Sequence, residues 1–211
     1  MEIGEQIKGI GNKRDKDIKN KTKNSLKIIL NVGEMKPNCY IITGGVGFGK
    51  TTLVEELCKD EMYFKIPEIA AELIEEQKRI GGRLIPWIDR YAFEEELMKR
   101  RIEAYICAPK DKICFFDRGI PDVIAFLKLE NKEMPKLYFE VSKKCRYSTK
   151  VFFVPPWKEI YTNNIARPQT YEESLDLSNL IKEAYTGLGY ELVEIPKMTV
   201  KERVEFIKKN L

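Results

Sequence analysis

The stretch Gly44-Gly45-Val46-Gly47-Phe48-Gly49-Lys50-Thr51, followed by Thr52, decides the fold of this chain. It fits the pattern G-x-x-x-x-G-K-[ST] of the phosphate-binding P-loop. The apolar run 39–43 before it predicts a buried strand, and apolar residues at helical spacing over 53–58 predict a helix after it. The strand, loop and helix that a P-loop requires are thus all predicted. A glycine-rich turn that matches by chance is the alternative.

The residue types of this stretch suit a triphosphate. Glycines let backbone N–H groups approach the phosphates closely, and the start of the following helix favours anions. Lys50 is expected to reach the β- and γ-phosphates, and the Thr51 hydroxyl to take a place on Mg²⁺. We therefore predict a site for ATP and Mg²⁺ formed by nine consecutive residues: Gly44, Gly45, Val46, Gly47, Phe48, Gly49, Lys50, Thr51 and Thr52.

Charge divides the 211-residue chain into two predicted parts. Residues 1–36 hold nine Lys or Arg and five Asp or Glu, whereas the remainder holds 28 of each sign. We predict a basic N-terminal arm over 1–36, with a possible edge strand at 25–32, and one domain over 37–211. The arm is either a mobile segment or a contact for a nucleic acid or an acidic protein partner. The balanced domain favours a small-molecule site over a nucleic-acid surface.

The cysteine and histidine content excludes several classes of site. The five cysteines form no C-x-x-C pair, which indicates reduced thiols rather than a disulfide framework. The absence of histidine excludes Ser-His and Cys-His nucleophiles and histidine metal sites. No apolar run has membrane-spanning length, and the N-terminus lacks the apolar core of a signal peptide. We expect a cytoplasmic protein that does not contact a membrane.

Strands and helices alternate along the predicted domain. Short apolar runs at 39–43, 62–66, 113–116, 151–154 and 190–195 predict five strands, and helical periodicity separates them. This order predicts an α/β fold, a five-stranded parallel sheet with helices on both faces, as in kinase-like P-loop NTPases. The loops after the strands should then meet at one edge of the sheet.

Two charged residues directly follow the third predicted strand. Asp117 stands where a P-loop protein holds its Walker B acid, and is expected to serve Mg²⁺ or to accept a proton; a helix N-cap is the alternative. Arg118 is expected to bind phosphate or a substrate carboxylate, with a surface ion pair to Asp122 as the alternative.

Two further catalytic candidates lie beyond other strands. Glu68, after Pro67, is expected to face the same crevice and to hold a sugar hydroxyl or act as a base, unless it only complements the helix dipole. Arg167 is expected to bring a cation over the transferring phosphate from a lid; a surface loop anchored by Trp157 is the alternative.

The chain resembles the AAA_28 family over about residues 38–209. The resemblance rests on the P-loop, on Pro67-Glu68, on the D-R-G-I-P-D stretch 117–122, and on P-P-W-x-E-I-Y at 155–161. The members of this family are predicted P-loop ATPases, similar to the ATPase/kinase domain of nicotinamide riboside kinases. The resemblance implies a kinase-like sheet, ATP with Mg²⁺, and phosphoryl transfer to an acceptor that it does not name.

Three functions are consistent with these patterns. The first is an ATP-dependent kinase of a small hydroxylated or phosphorylated metabolite, such as a nucleoside, a nucleotide or a vitamin-like alcohol. The second is a regulatory ATPase that switches a protein or nucleic-acid interaction, with the basic arm in the interface. The third is a nucleotide-binding module without turnover. No N-K-x-D guanine signature follows the P-loop, which argues against a GTPase.

Overall fold

A computed structural model describes residues 35–162 and 169–211 of the chain. Within that part, five strands form one parallel sheet in the order β2-β3-β1-β4-β5. The strands are β1 Cys39–Thr43, β2 Tyr63–Ile66, β3 Ile113–Asp117, β4 Lys150–Phe153 and β5 Glu191–Glu194. The predicted five-stranded parallel sheet is therefore confirmed, and the strand that carries the P-loop lies at its centre.

Helices connect successive strands and cover both faces of the sheet. They are α1 Lys50–Leu57, α2 Ile69–Ile80, α3 Arg90–Cys107, α4 Asp122–Leu129, α5 Lys136–Lys144, α6 Tyr171–Gly187 and α7 Val200–Lys209, with a 3₁₀ turn at Lys158–Ile160. Both α6 and α7 begin with a capping box, in which Thr170 pairs with Glu173 and Thr199 with Glu202. Among the described residues, the helices are too short or too polar to form a membrane-spanning segment.

The central strands are buried on both faces, as expected for a parallel sheet between helices. Ile42, Phe115 and Phe152 are fully buried and pack with residues of α1 and α7 in one cluster. In the pairing of β1 with β3, Ile42 lies opposite Asp117, and the neighbouring Thr43 lies opposite Phe153 of β4. The carboxyl ends of β1, β3 and β4 therefore lie side by side, and the P-loop follows β1 at this end of the sheet.

One helix was not predicted. Helix α5 begins after Pro135, which has no N–H to lose at a helix start, and buries Tyr138 and Val141 on one face. Those two residues stand three positions apart, a helical signal too short to stand out in a polar stretch. The possible strand at 25–32 and most of the predicted arm lie outside the described residues.

Candidate functional site

The P-loop takes backbone conformations that glycine permits. Gly44, Gly47 and Gly49 have φ of 142°, 82° and 78°. A Cβ on Gly44 would also collide with the carbonyl group of Val154, and one on Gly47 would lie 2.6 Å from the Thr162 carbonyl oxygen. Substitution at these two positions is therefore opposed both by backbone strain and by lack of space.

The two bulky residues of the P-loop point in different directions. Phe48 is fully buried in the core cluster, and its ring lies 5.9 Å from Tyr161 and 6.1 Å from Tyr171, between ring centroids. Any contact of Phe48 with a nucleotide would thus be made by its backbone. Val46 lines the cavity described below. The two non-glycine residues inside the loop thus anchor it on one side and border a cavity on the other.

Lys50, Thr51 and Asp117 lie close together at the start of α1. The Lys50 ammonium is buried and donates to the carbonyl oxygen of Gly45 across the loop. The Thr51 hydroxyl donates to Oδ2 of Asp117 over 2.6 Å. The other oxygen, Oδ1, is buried without a hydrogen-bond partner among the described residues. Mg²⁺ favours such oxygen ligands, usually with water and phosphate completing its shell, so this pair fits that ion.

The environment of Asp117 changes its acidity. Burial, and then the nearby carboxylate of Glu68, raise the pKa of Asp117 to about 6, although Lys50, Thr51 and Arg118 oppose the rise. Two acidic groups close together in a water-poor site resist ionising together. A cation at this position would remove that opposition, which is a further reason why the site suits a metal.

Arg118 links Glu68 to the P-loop through hydrogen bonds. Its Nε donates to Glu68 over 2.8 Å, while Nη1 donates to the Gly44 carbonyl oxygen over 2.9 Å and to Asp122 over 3.1 Å. It is 4% exposed and has a φ of 72°, uncommon for a residue with a long side chain. Such a conformation persists only where surrounding contacts hold it. The ion pair with Asp122 considered above exists, but it is buried rather than on the surface.

Asp122 is the residue that holds this arrangement together. One of its oxygens accepts from Thr43 over 2.6 Å and from Arg118, and the other accepts from the Gly119 amide over 2.8 Å and from Tyr185 over 2.6 Å. Burial alone would raise its pKa, but the charges of Arg118 and Arg101 and the hydrogen bonds from Thr43 and Tyr185 hold the pKa of Asp122 below its usual value. Asp122 is therefore a buried carboxylate whose acceptor sites are all used. Its contact with Arg118 holds the guanidinium group in place.

A cavity of about 240 Å³ opens beside the P-loop. Helices α2, α3 and α4 form its walls, and Val46 and Glu68 border it on the side of the P-loop. The aromatic side chains Trp87, Phe93 and Phe126 line it together with the charged residues Arg90, Glu94 and Arg101 of α3. A pocket of apolar walls with a few polar groups is the usual form of a small-molecule site.

The predicted site residues are thus placed as follows. The P-loop residues, Asp117, Arg118 and Glu68 lie together at one sheet edge, and Thr52 is exposed on α1. Arg167 and residues 1–34 of the predicted arm lie outside the described residues. The sequence did not single out Glu94 and Arg101, which line the cavity, and it did not predict that Asp122 holds Arg118 in place. A signal for Glu94 and Arg101 was present, since they stand seven residues apart at stripe positions of a helix whose other inward residues are mostly apolar.

The model of the AAA_28 family, described as an AAA domain, matches residues 39–203. The chain belongs to the AAA_28 family. The resemblance stated from the sequence is therefore confirmed, and the match of this AAA_28 protein covers nearly all of the described residues. No curated protein sequence matches it significantly.

Solved structures share the fold of this AAA_28 protein at low sequence identity. Deoxyadenosine kinase from M. mycoides with bound dATP is 16% identical, with a TM-score of 0.57 over 82% of this chain and 98% of that one. Thymidylate kinase from Ehrlichia chaffeensis is 15% identical, with a TM-score of 0.57 over 82% and 97%. NadR in complex with NAD and AMP-PNP is 16% identical, with a TM-score of 0.53 over 81% and 48%. The kinase-like P-loop fold is confirmed.

Proposed function

We propose that this chain is an ATP-dependent kinase that transfers the γ-phosphoryl group to a hydroxyl of a small metabolite bound in the cavity. One observation carries the proposal: Glu68 lines the cavity and accepts from Arg118, which in turn donates to the P-loop carbonyl of Gly44. The acceptor space and the phosphate-binding loop are thereby joined by two hydrogen bonds. The fold shared with deoxyadenosine and thymidylate kinases supports the same function.

The contacts suggest separate roles for the two carboxylates. Asp117 contacts Thr51 and has one oxygen left over, so we assign these two residues to Mg²⁺. When bound, Mg²⁺ neutralises charge on the phosphate oxygens. Glu68 borders the cavity, so we assign it to the acceptor hydroxyl as a base or an orienting acceptor. Arg118 fixes the orientation of Glu68, and Lys50 binds phosphate.

A cytoplasmic location and the contact of the basic arm with a nucleic acid or protein remain parts of the proposal. All five cysteines are free, which supports a reducing compartment. The arm would add a binding surface without a part in the transfer itself.

The test is ADP release measured with and without a panel of nucleosides, nucleotides and vitamin-like alcohols. We expect at least one acceptor to raise the rate, and Glu68→Gln to lower that rate about 10²–10⁴-fold with ATP affinity unchanged. The glutamine still accepts from Arg118, so the loop stays in place. Glu76→Gln is the matched control, because Glu76 lies on α2, the helix that Glu68 precedes, but pairs with Arg100 outside the cavity.

A different result would favour the regulatory ATPase. If no small acceptor accelerates ADP release, and a protein or nucleic acid does, the kinase proposal fails. Equal rates for Glu68→Gln and Glu76→Gln in the presence of a true acceptor would remove Glu68 from the reaction.

A further inference from the structure

The cavity has an aromatic part and a polar part. Trp87, Phe93 and Phe126 line it, and the guanidinium groups of Arg118 and Arg90 lie 5.2 and 5.9 Å from the centre of the Phe126 ring. Flat aromatic walls favour a planar ligand, because rings and π-systems pack by stacking or edge contact. An aliphatic alcohol would leave much of this surface without a matching partner.

Two charged side chains of α3 offer unused hydrogen-bonding atoms. Glu94 is 1% exposed and gives one oxygen to Arg90 over 3.0 Å, whereas its Oε2 is buried without a partner among the described residues. Arg101 is 4% exposed, and its Nη1 is likewise buried with no partner in the described part. Both residues line the cavity. A buried polar atom left without a partner is unfavourable, so a ligand group that pairs with it is favoured over one that does not.

The charge of the described lining disfavours an anionic acceptor. Four carboxylates line the cavity, those of Glu68, Glu75, Glu94 and Glu130, against two guanidinium groups, those of Arg90 and Arg101. Arg118 pairs with Glu68 from outside this lining, so the acidic groups still outnumber the basic ones. Arg90 is already held by Glu94 and Glu130. A phosphate group on the acceptor would add negative charge to a site with excess acid, whereas a neutral or cationic acceptor would not.

We propose that the acceptor is an unphosphorylated nucleoside, and that Glu94 and Arg101 determine which base it carries. The carboxylate oxygen of Glu94 takes a donor N–H of the base, and Arg101 donates to the neighbouring ring nitrogen or carbonyl oxygen. The hydroxyl of the sugar is then the group that meets Glu68. This inference rests on the proposed kinase function, but it is tested first by equilibrium binding, which needs no turnover.

The binding test uses calorimetry on the full chain in the presence of ADP. The probes are adenosine, guanosine, cytidine, uridine, a pyridinium riboside, and the 5′-monophosphate of each. At least one nucleoside is expected to bind ten-fold or more tightly than its own monophosphate. Monophosphates that bind more tightly than every nucleoside would overturn the inference.

Variants test the two specificity residues. Glu94→Gln and Arg101→Lys should each weaken binding of the preferred nucleoside ten-fold or more, and Glu94→Gln should change the order of preference among bases. In turnover they should raise KM more than they lower kcat. The controls Glu95→Gln and Arg100→Lys stand next to them on the same helix, but Glu95 is exposed and Arg100 pairs with Glu76 and Glu96. A purely structural role would lower stability without changing the order of bases.

The outcomes separate this inference from the proposed function. Phosphoryl transfer to monophosphates alone would support the proposed kinase function and contradict the proposal that the acceptor is an unphosphorylated nucleoside. Tight nucleoside binding without any phosphoryl transfer would support the nucleoside site and contradict the proposed kinase function. Unchanged base preference in both folded variants would remove Glu94 and Arg101 from recognition.

Discussion

Replacing Asp117 by asparagine should make the nucleotide-free protein more stable as the pH rises, relative to wild type. Asp117 is 2% exposed, and its pKa of about 6 lies above its ordinary value of 3.8. Between these two pH values the folded protein holds a proton that the unfolded chain has already released. Ionising Asp117 therefore costs stability as the pH rises through this window.

The magnitude follows from the shift. A pKa rise of about two units corresponds to about 3 kcal/mol, lost by the wild type between about pH 4 and pH 7. Asparagine cannot ionise, so the variant does not lose this amount. The difference in unfolding free energy, variant minus wild type, should thus grow by about 3 kcal/mol over that range. A cost of the substitution that does not depend on pH shifts this difference by the same amount at every pH, so it does not affect how the difference changes with pH.

Urea denaturation at pH 4, 5, 6 and 7, with a chelator present, measures that difference. Asp122→Asn is the comparison with the opposite sign, since contacts hold the pKa of Asp122 below its usual value and its ionisation stabilises the fold. Because the pKa of Asp122 lies below 3.8, its deficit should develop below about pH 4 and stay nearly constant from pH 4 to pH 7. A flat difference for Asp117→Asn, or one that falls with pH, would refute our account of this carboxylate. In a second measurement, Mg²⁺ should add to the stabilisation by ATP in the wild type but not in Asp117→Asn.

Three further predictions concern the P-loop. Lys50→Ala should weaken ATP binding by about 2–5 kcal/mol in calorimetry, since it removes a buried charge from the phosphates, and unchanged affinity in a folded variant would contradict the P-loop assignment. Gly44→Ala should destabilise the protein in urea by about 2 kcal/mol or more, whereas the control Gly187→Ala, with nothing within 4 Å, should be neutral or gain about 0.5–1 kcal/mol. Phe48→Ala should lower the free energy of unfolding by about 3–5 kcal/mol, and the control Phe64→Ala, at a 39% exposed position, should lower it far less. A loss for Phe48→Ala as small as that for Phe64→Ala would show that Phe48 is not a core residue.

The features that were predicted correctly from the sequence depend on residues close together in the chain. The glycines and Lys50 lie within one short stretch, and each strand is a short apolar run bounded by turn residues. Their physical causes, backbone freedom and burial on both faces, act on neighbouring residues, so one sequence displays them. Helix α5 escaped because only a few of its residues are buried.

The parts that escaped depend on contacts between distant residues. Asp122 joins Thr43 of β1, Arg118 of the loop after β3 and Tyr185 of α6, which meet only after the sheet has formed. Glu94 was visible only as a carboxylate at an inward position of α3, a pattern that a surface helix also produces when its boundaries are misplaced. Its role required the cavity, which no local pattern contains.

The burial of Phe48 bears on how fast a ligand can be captured. A loop whose central ring is fixed between Tyr161 and Tyr171 is already ordered before any phosphate arrives. Little conformational entropy then remains to be lost on binding, and encounter does not wait for a rearrangement of the loop.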